Sequence, residues 1–477
     1  MMARAKSAPL TINLLFYNSE ESALVTEHAF HTRELMLAAR RINLQETFQS
    51  LTSPAPILEC LEICNMGEEA VMLPVNIFAG NTPSLHHITL QGVIFSWSGP
   101  IFRDLTHLNV TSLDDEASVL IASEDSHLGS IEPTSQYEQL FNALARMPAL
   151  RKLDLAYCIP SRLHHHITRL LVILSCLELL SLTGTLAACT GIIQHITIPT
   201  SCTIILKCDT GDSQPIDGLV HFLNRHASRR EMPSLHSLVI SRIPAYIVSS
   251  SPIYVYLWST CKPRGTPDGE PLITIQLTSS PTYLQSLESL CSVLPLDDLR
   301  VLEVDLSYND WPSNTWIDMF GRCRDVEHVS LKGTNVISFC RTLIRTRDKG
   351  PGTAKTVERL FFKHLKSLEV CNVNLLDMDN GYGQPLHMLL ATWLSRRQEL
   401  LDGDKAFSKG EKASEVENVD NRLERLQVTQ CSVMDKYVWG LRVVTQNLVW
   451  DHYEGRNARV EESEESEESE DESVHDI

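Results

Sequence analysis

The sequence predicts an α/β protein, with parallel strands along a concave face and helices or loops returning along a convex one. Three observations predict it. A six-residue apolar pattern recurs ten times. Three of its steps, Leu58 to Leu85, Leu150 to Leu177 and Leu299 to Val326, are 27 residues long. Amphipathic helical stretches and turn signals fill the intervals. Repeats of 20–29 residues, each opened by a strand, define a leucine-rich-repeat solenoid, or horseshoe.

Residues 1–50 precede the first copy and are expected to cap the stack, with Leu10–Phe16 as a strand and Glu20–Ala39 as a helix. An uncapped end would expose apolar core. The solenoid itself is expected over 51–432. Its hexads, L-x-x-L-x-L with Ile or Val allowed, begin at Leu58, Leu85, Leu105, Leu150 and Leu177, and again at Leu235, Leu299, Val326, Leu365 and Leu423. Strand side chains alternate, so the fourth and sixth residues share the core face, and the first enters the core through the preceding bend. No unit buries its own face, so neighbours stack and their strands pair in parallel. Steps of 20, 39, 45 and 58 residues mark insertions or eroded units. Cys202–Leu206 and Leu272–Leu277 read as degenerate strands filling two gaps.

Between strands, Ser135–Met147 is the clearest helix. Tyr137, Leu140, Phe141 and Leu144 lie on one face, and Pro148 stops it. Trp316–Cys323 and Leu386–Leu394 read the same way, and Phe78–Pro83 is a turn signal. The polar run 401–421 is expected to be an exposed insertion, and 433–458 a C-terminal cap carrying Tyr437, Trp439, Leu441, Leu448 and Trp450.

Composition narrows the function. The 477 residues carry 41 Lys+Arg and 60 Asp+Glu, a net charge of −19. Ten acidic residues fall within 461–477, which leaves 41 basic against 50 acidic in the rest, or −9. A negative body argues against nucleic acid as partner, because phosphate binding needs concentrated Lys and Arg. The tail 459–477 offers little apolar surface and is expected to be disordered. Within it Ser469 and Ser473 have acids three residues on and suit an acidophilic kinase, and phosphate on Ser469 would prime Ser466. Thirteen cysteines without a CxxC pair read as reduced thiols of an intracellular protein of cytoplasm or nucleus. The most apolar run, Leu170–Leu182, is 13 residues with Glu178 inside it, too short for a membrane span.

No catalytic or nucleotide-binding signature is present, and no enzyme activity, cofactor or metal is expected. His164, His165 and His166 are adjacent, so they cannot easily converge on one ion. Asp377-Met378-Asp379-Asn380-Gly381 has its glycine one place too early for a calcium loop. Cys60 and Cys64 sit at the first strand, where packing or a plain exposed thiol is the default.

The third and fifth residues of each hexad should stand on the concave face, where a protein partner would bind. They are Cys60/Glu62, His87/Thr89, His107/Asn109, Lys152/Asp154 and Leu179/Ser181 in the first half. Ser237/Val239, Val301/Glu303, His328/Ser330, Ser367/Glu369 and Arg425/Gln427 follow. Leu179, Val239 and Val301 are the exposed apolar candidates for contact. The set is mixed in charge and holds no aromatic residue to stack on bases.

Asn76–Val110, Leu140–Cys158 and the run from Leu177 through Ile198 resemble the repeat region of F-box-like leucine-rich-repeat proteins of mushroom-forming fungi. The opening Ala5–Ile12 resembles the segment those proteins place after their F-box. The resemblance covers roughly 5–450. It implies the substrate-recognition subunit of a Skp1–cullin–F-box ubiquitin ligase, with Skp1 as a partner only if an F-box lies upstream, since none is found ahead of Ser7. The alternative is a repeat scaffold with no ubiquitin role, its acidic tail meeting a basic partner.

Overall fold

Alternation decides the strands. Leu61 and Ile63, Ile88 and Leu90, Leu108 and Val110, Leu153 and Leu155, and Leu180 and Leu182 are all buried, as the hexad pattern requires. The first leucine of the hexad closes a turn. The N–H groups of Leu58, Leu85, Leu150, Leu177, Leu299 and Leu365 each donate to the carbonyl three residues earlier, at 3.1–3.3 Å. At the far end the chain leaves several strands through a left-handed residue, which is Gly at 92 and 333 but Tyr157, Asn372 and Gln430 elsewhere. Turns of these two kinds bring the chain into or out of those strands within a few residues.

The computed structural model describes residues 8–15, 20–112, 133–159, 170–211, 216–242, 252–261, 269–278, 283–306, 311–333, 335–345, 347–348, 357–358, 361–378, 383–408 and 421–453. The chain is α/β with mostly parallel sheet, in two compact units: Met1–Pro233 with Pro271–Ser286, and Ser234–Glu270 with Leu287–Ile477.

In the first unit nine strands lie side by side. Their order is Leu10–Leu15, Thr32–Ala39, Cys60–Asn65, His87–Gln91, His107–Thr111, Lys152–Ala156, Leu179–Thr185, Thr203–Asp209 and Ile273–Leu277. Every neighbouring pair is parallel. In the second unit the order is Ile253–Trp258, Ser237–Arg242, Val301–Asp305, His328–Lys332, Ser367–Cys371, Arg425–Thr429 and Leu448–Trp450. There the first pair is antiparallel and the rest are parallel.

Four expectations change. The helix expected over Glu20–Ala39 ends at His28, and Thr32–Ala39 is a strand. It buries Leu35, Leu37 and Ala39 and pairs on both sides, so tertiary pairing overrides local helix preference. The hexad at Leu235 does open a strand, but Ile253–Trp258 runs antiparallel beside it, so the strands are not uniformly parallel. Leu448–Trp450 adds a further parallel strand where only a cap was expected. The helix expected to stop at Leu394 runs on as Leu386–Ser408, so 401–408 is helix, while 409–420 lies outside the described residues.

Helices supply the other side of each core. Tyr137, Leu140, Phe141 and Leu144 of Pro133–Ala145 are buried, as are Leu219, Phe222 and Leu223 of Asp217–Ala227. In the second unit a buried aromatic cluster runs from Trp311 to Trp316, ring centroids 4.8 Å apart, and on to Phe339 at 5.1 Å. The Trp316 indole N–H donates to Ser338 Oγ at 3.1 Å, so its polar end is satisfied inside the core. Arginines tie neighbouring segments together. Arg225 donates to the Ile193 and Ile196 carbonyls, and Arg322 to those of Cys291 and Leu294, taking up acceptors that a helix end leaves without an internal partner. Among the described residues no helix is long and apolar enough to cross a membrane.

Candidate functional site

Because the hexads pair in register, their outward residues line up into rows. In the first unit Cys60, His87, His107, Lys152 and Leu179 form one row and Glu62, Thr89, Asn109, Asp154 and Ser181 the next. In the second unit the rows are Ser237, Val301, His328, Ser367 and Arg425, and Val239, Glu303, Ser330, Glu369 and Gln427. Neighbouring strands stand roughly 4.8 Å apart, so each row sets side chains at that pitch along the sheet.

The rows are less open than expected in two places. Ser181 and Ser237 are buried. Ser237 stands opposite Trp258 and donates to the Thr260 carbonyl at 2.8 Å, so the antiparallel strand covers it. Leu179, Val239 and Val301, expected to be exposed, are only half-buried, and so are His87, Thr89, His107, Asn109, Asp154, Glu303, His328 and Ser330. Lys152 is exposed.

The described part of the second unit's outward face is knit by hydrogen bonds. Lys332 Nζ reaches Glu303 at 3.0 Å and Asp305 at 3.3 Å. Burial works against the Lys332 charge, but the two carboxylates outweigh it and hold its pKa above the usual lysine value. Ser330 Oγ donates to Glu369, and Gln427 Nε2 donates to the other Glu369 oxygen at 2.9 Å. Arg425 donates to Gln427 at 2.7 Å. His328 is pulled down by burial, with Glu327 opposing. Such a lattice presents fixed donors and acceptors.

Beside it lies an aromatic strip that the hexads did not reveal. Tyr254 and Tyr256 alternate on one face of the antiparallel strand, rings 5.9 Å apart and within 3° of parallel, and Tyr256 is 5.9 Å from Trp258. Tyr256 stands opposite Val239 and Tyr254 opposite Ser241, so the strip shares the outward face. The alternation Tyr-x-Tyr-x-Trp in YVYLW was the only local signal, and without a hexad it pointed to no row.

In the first unit the register brings Cys60 beside His87, with Glu62 two residues along the same strand. One ligand-type atom from each lies within 4.8 Å of the others. Cys60 Sγ donates to Glu62 Oε1 at 3.7 Å, and His87 Nε2 is 3.3 Å from Thr89 Oγ1. Burial and then Glu62 push the Cys60 thiol up to about 11, and burial pulls His87 down against Glu62. His107 stacks on His87 at 5.3 Å and 15°, and is lowered by burial, His87 and Lys152. Thr106 donates its hydroxyl to the His86 carbonyl and so accepts from His107 Nδ1, which leaves Nε2 with the lone pair.

Other residues singled out in the sequence fall apart or fall outside. Asp377 accepts from Asn374 Nδ2 at 2.6 Å in a local turn, while 379–382 lies outside the described residues. His164, His165, His166 and the candidate phosphorylation sites Ser466, Ser469 and Ser473 also lie outside them. The fold and site together define an α/β protein with a mostly parallel sheet, each of its two units presenting in-register rows of outward side chains. No protein-family model matches the chain, and no curated protein does.

Proposed function

We propose that the chain is a leucine-rich-repeat solenoid whose strand faces recognise a protein partner. The observation that carries this reading is the registration of the rows, which places third and fifth hexad residues at constant pitch over five successive hexads in each unit. A regular array of polar groups with an aromatic strip at its side suits a protein surface, since Tyr and Trp dominate the energetics of such contacts. The resemblance to F-box-like proteins implies a role in a Skp1–cullin–F-box ubiquitin ligase, where the chain would present a substrate while other subunits perform the chemistry.

Photo-crosslinking tests the recognition surface. A crosslinker at Thr89, Ser330 or Val301 should capture a protein partner, and one at Glu399, on the helix Leu386–Ser408, should not. Equal capture from both sets would overturn the assignment. For the ligase role, Skp1 retained by this chain, or by one extended upstream through an F-box, supports it, and retention by neither removes it.

A further inference from the structure

Cys60, Glu62 and His87 are unrelated in sequence terms, 27 residues separating the first from the last, yet parallel pairing puts them on one half-buried patch of the first unit's outward face. A thiolate, a carboxylate and an imidazole form a donor set suited to zinc. The spacing of Cys60 and Glu62 is also that of a tetrahedral site. Zinc–sulfur and zinc–oxygen bonds of about 2.3 and 2.1 Å put the two donors roughly 3.6 Å apart. Cys60 Sγ and Glu62 Oε1 are 3.7 Å apart, and all three ligand atoms fall within 4.8 Å. The strand scaffold holds the backbone in place, and the contact of His87 Nε2 with Thr89 Oγ1 at 3.3 Å restrains the ring.

Charge points the same way. Among the described residues Glu62 has no ion-pair partner. Glu34 stands in register with Cys60 on the next strand, adding a second carboxylate to the neighbourhood. A dication would neutralise the thiolate and the Glu62 carboxylate together. We infer that Cys60, Glu62 and His87 form a binding site for a zinc-type divalent cation, with solvent completing the fourth position on the open side of the sheet.

The test uses the full chain, reduced and stripped of metal, titrated with cobalt(II) alone and then zinc(II) alone. One equivalent of cobalt should produce a thiolate-to-metal charge-transfer absorption that zinc abolishes by displacement. Cys60→Ser should remove the absorption, and His87→Ala or Glu62→Gln should weaken binding by about 100-fold or more. Cys64→Ser, which changes the next thiol on the same strand, should leave it intact. No absorption, or one that survives Cys60→Ser, overturns the site and leaves adventitious binding only. Alkylation of the unaltered chain gives an answer independent of variant folding. Zinc should slow modification of Cys60 about tenfold while leaving Cys64 unchanged, and equal rates at Cys60 with and without zinc reject the proposal.

Discussion

Leu180 and its neighbours in register, Leu153 and Ile204, are each fully buried, and they carry the cohesion between three strands. Leu180→Ala should cost about 2–5 kcal/mol in denaturant unfolding, from lost transfer energy plus the cavity left behind. A change below about 1 kcal/mol would mean that Leu180 is not a rung of a packed core. His226 offers a pH test. It is buried against Phe222, and burial, then Arg229 and Arg225, lowers its pKa to about 4. The folded state therefore resists a proton that the unfolded chain accepts near 6.5. Its contribution is complete above that value and is lost as pH falls toward 4, on the order of 2 kcal/mol by pH 5. His226→Phe should flatten the stability profile between pH 6.5 and 4, and an unchanged slope would assign the acid sensitivity elsewhere.

Whole elements were legible where a residue pattern repeats and obscure where pairing alone decides. Pro133–Ala145 shows its helical face in the positions of Tyr137, Leu140, Phe141 and Leu144. Thr32–Ala39 does not show its strand, because Glu34, Leu35, Met36 and Leu37 are helix-compatible until two neighbours offer hydrogen bonds. Met36→Pro should remove one ladder bond from a strand paired on both sides, at about 3 kcal/mol or more, whereas a helix end or loop would tolerate it far better. Arg397 makes a second element-scale test. From the helix Leu386–Ser408 it donates to the Leu365 carbonyl at 2.6 Å and to Asn421 at 3.1 Å, while nearly fully buried. Arg397→Met should cost about 3 kcal/mol by stranding those acceptors, and Arg397→Lys should recover only part, because an ammonium cannot fork between them.

Over the whole chain, the 17-residue acidic segment 461–477 carries ten of the 60 acidic residues. If a basic partner uses that charge, deleting the segment should lower affinity and flatten its salt dependence, and identical salt curves would exclude an electrostatic role. The sequence by itself determined which apolar residues turn inward, since burial on a strand follows a two-residue alternation that residue order displays directly, as Leu153 and Leu155 do. It also carried the outward identities, from His87 and Thr89 to His328 and Ser330. Only the tertiary structure decided what those outward residues meet. Register brings Cys60 to His87, sets Tyr256 opposite Val239, and closes Trp258 over Ser237, because a strand's neighbours across a sheet are fixed by pairing between segments far apart in the chain.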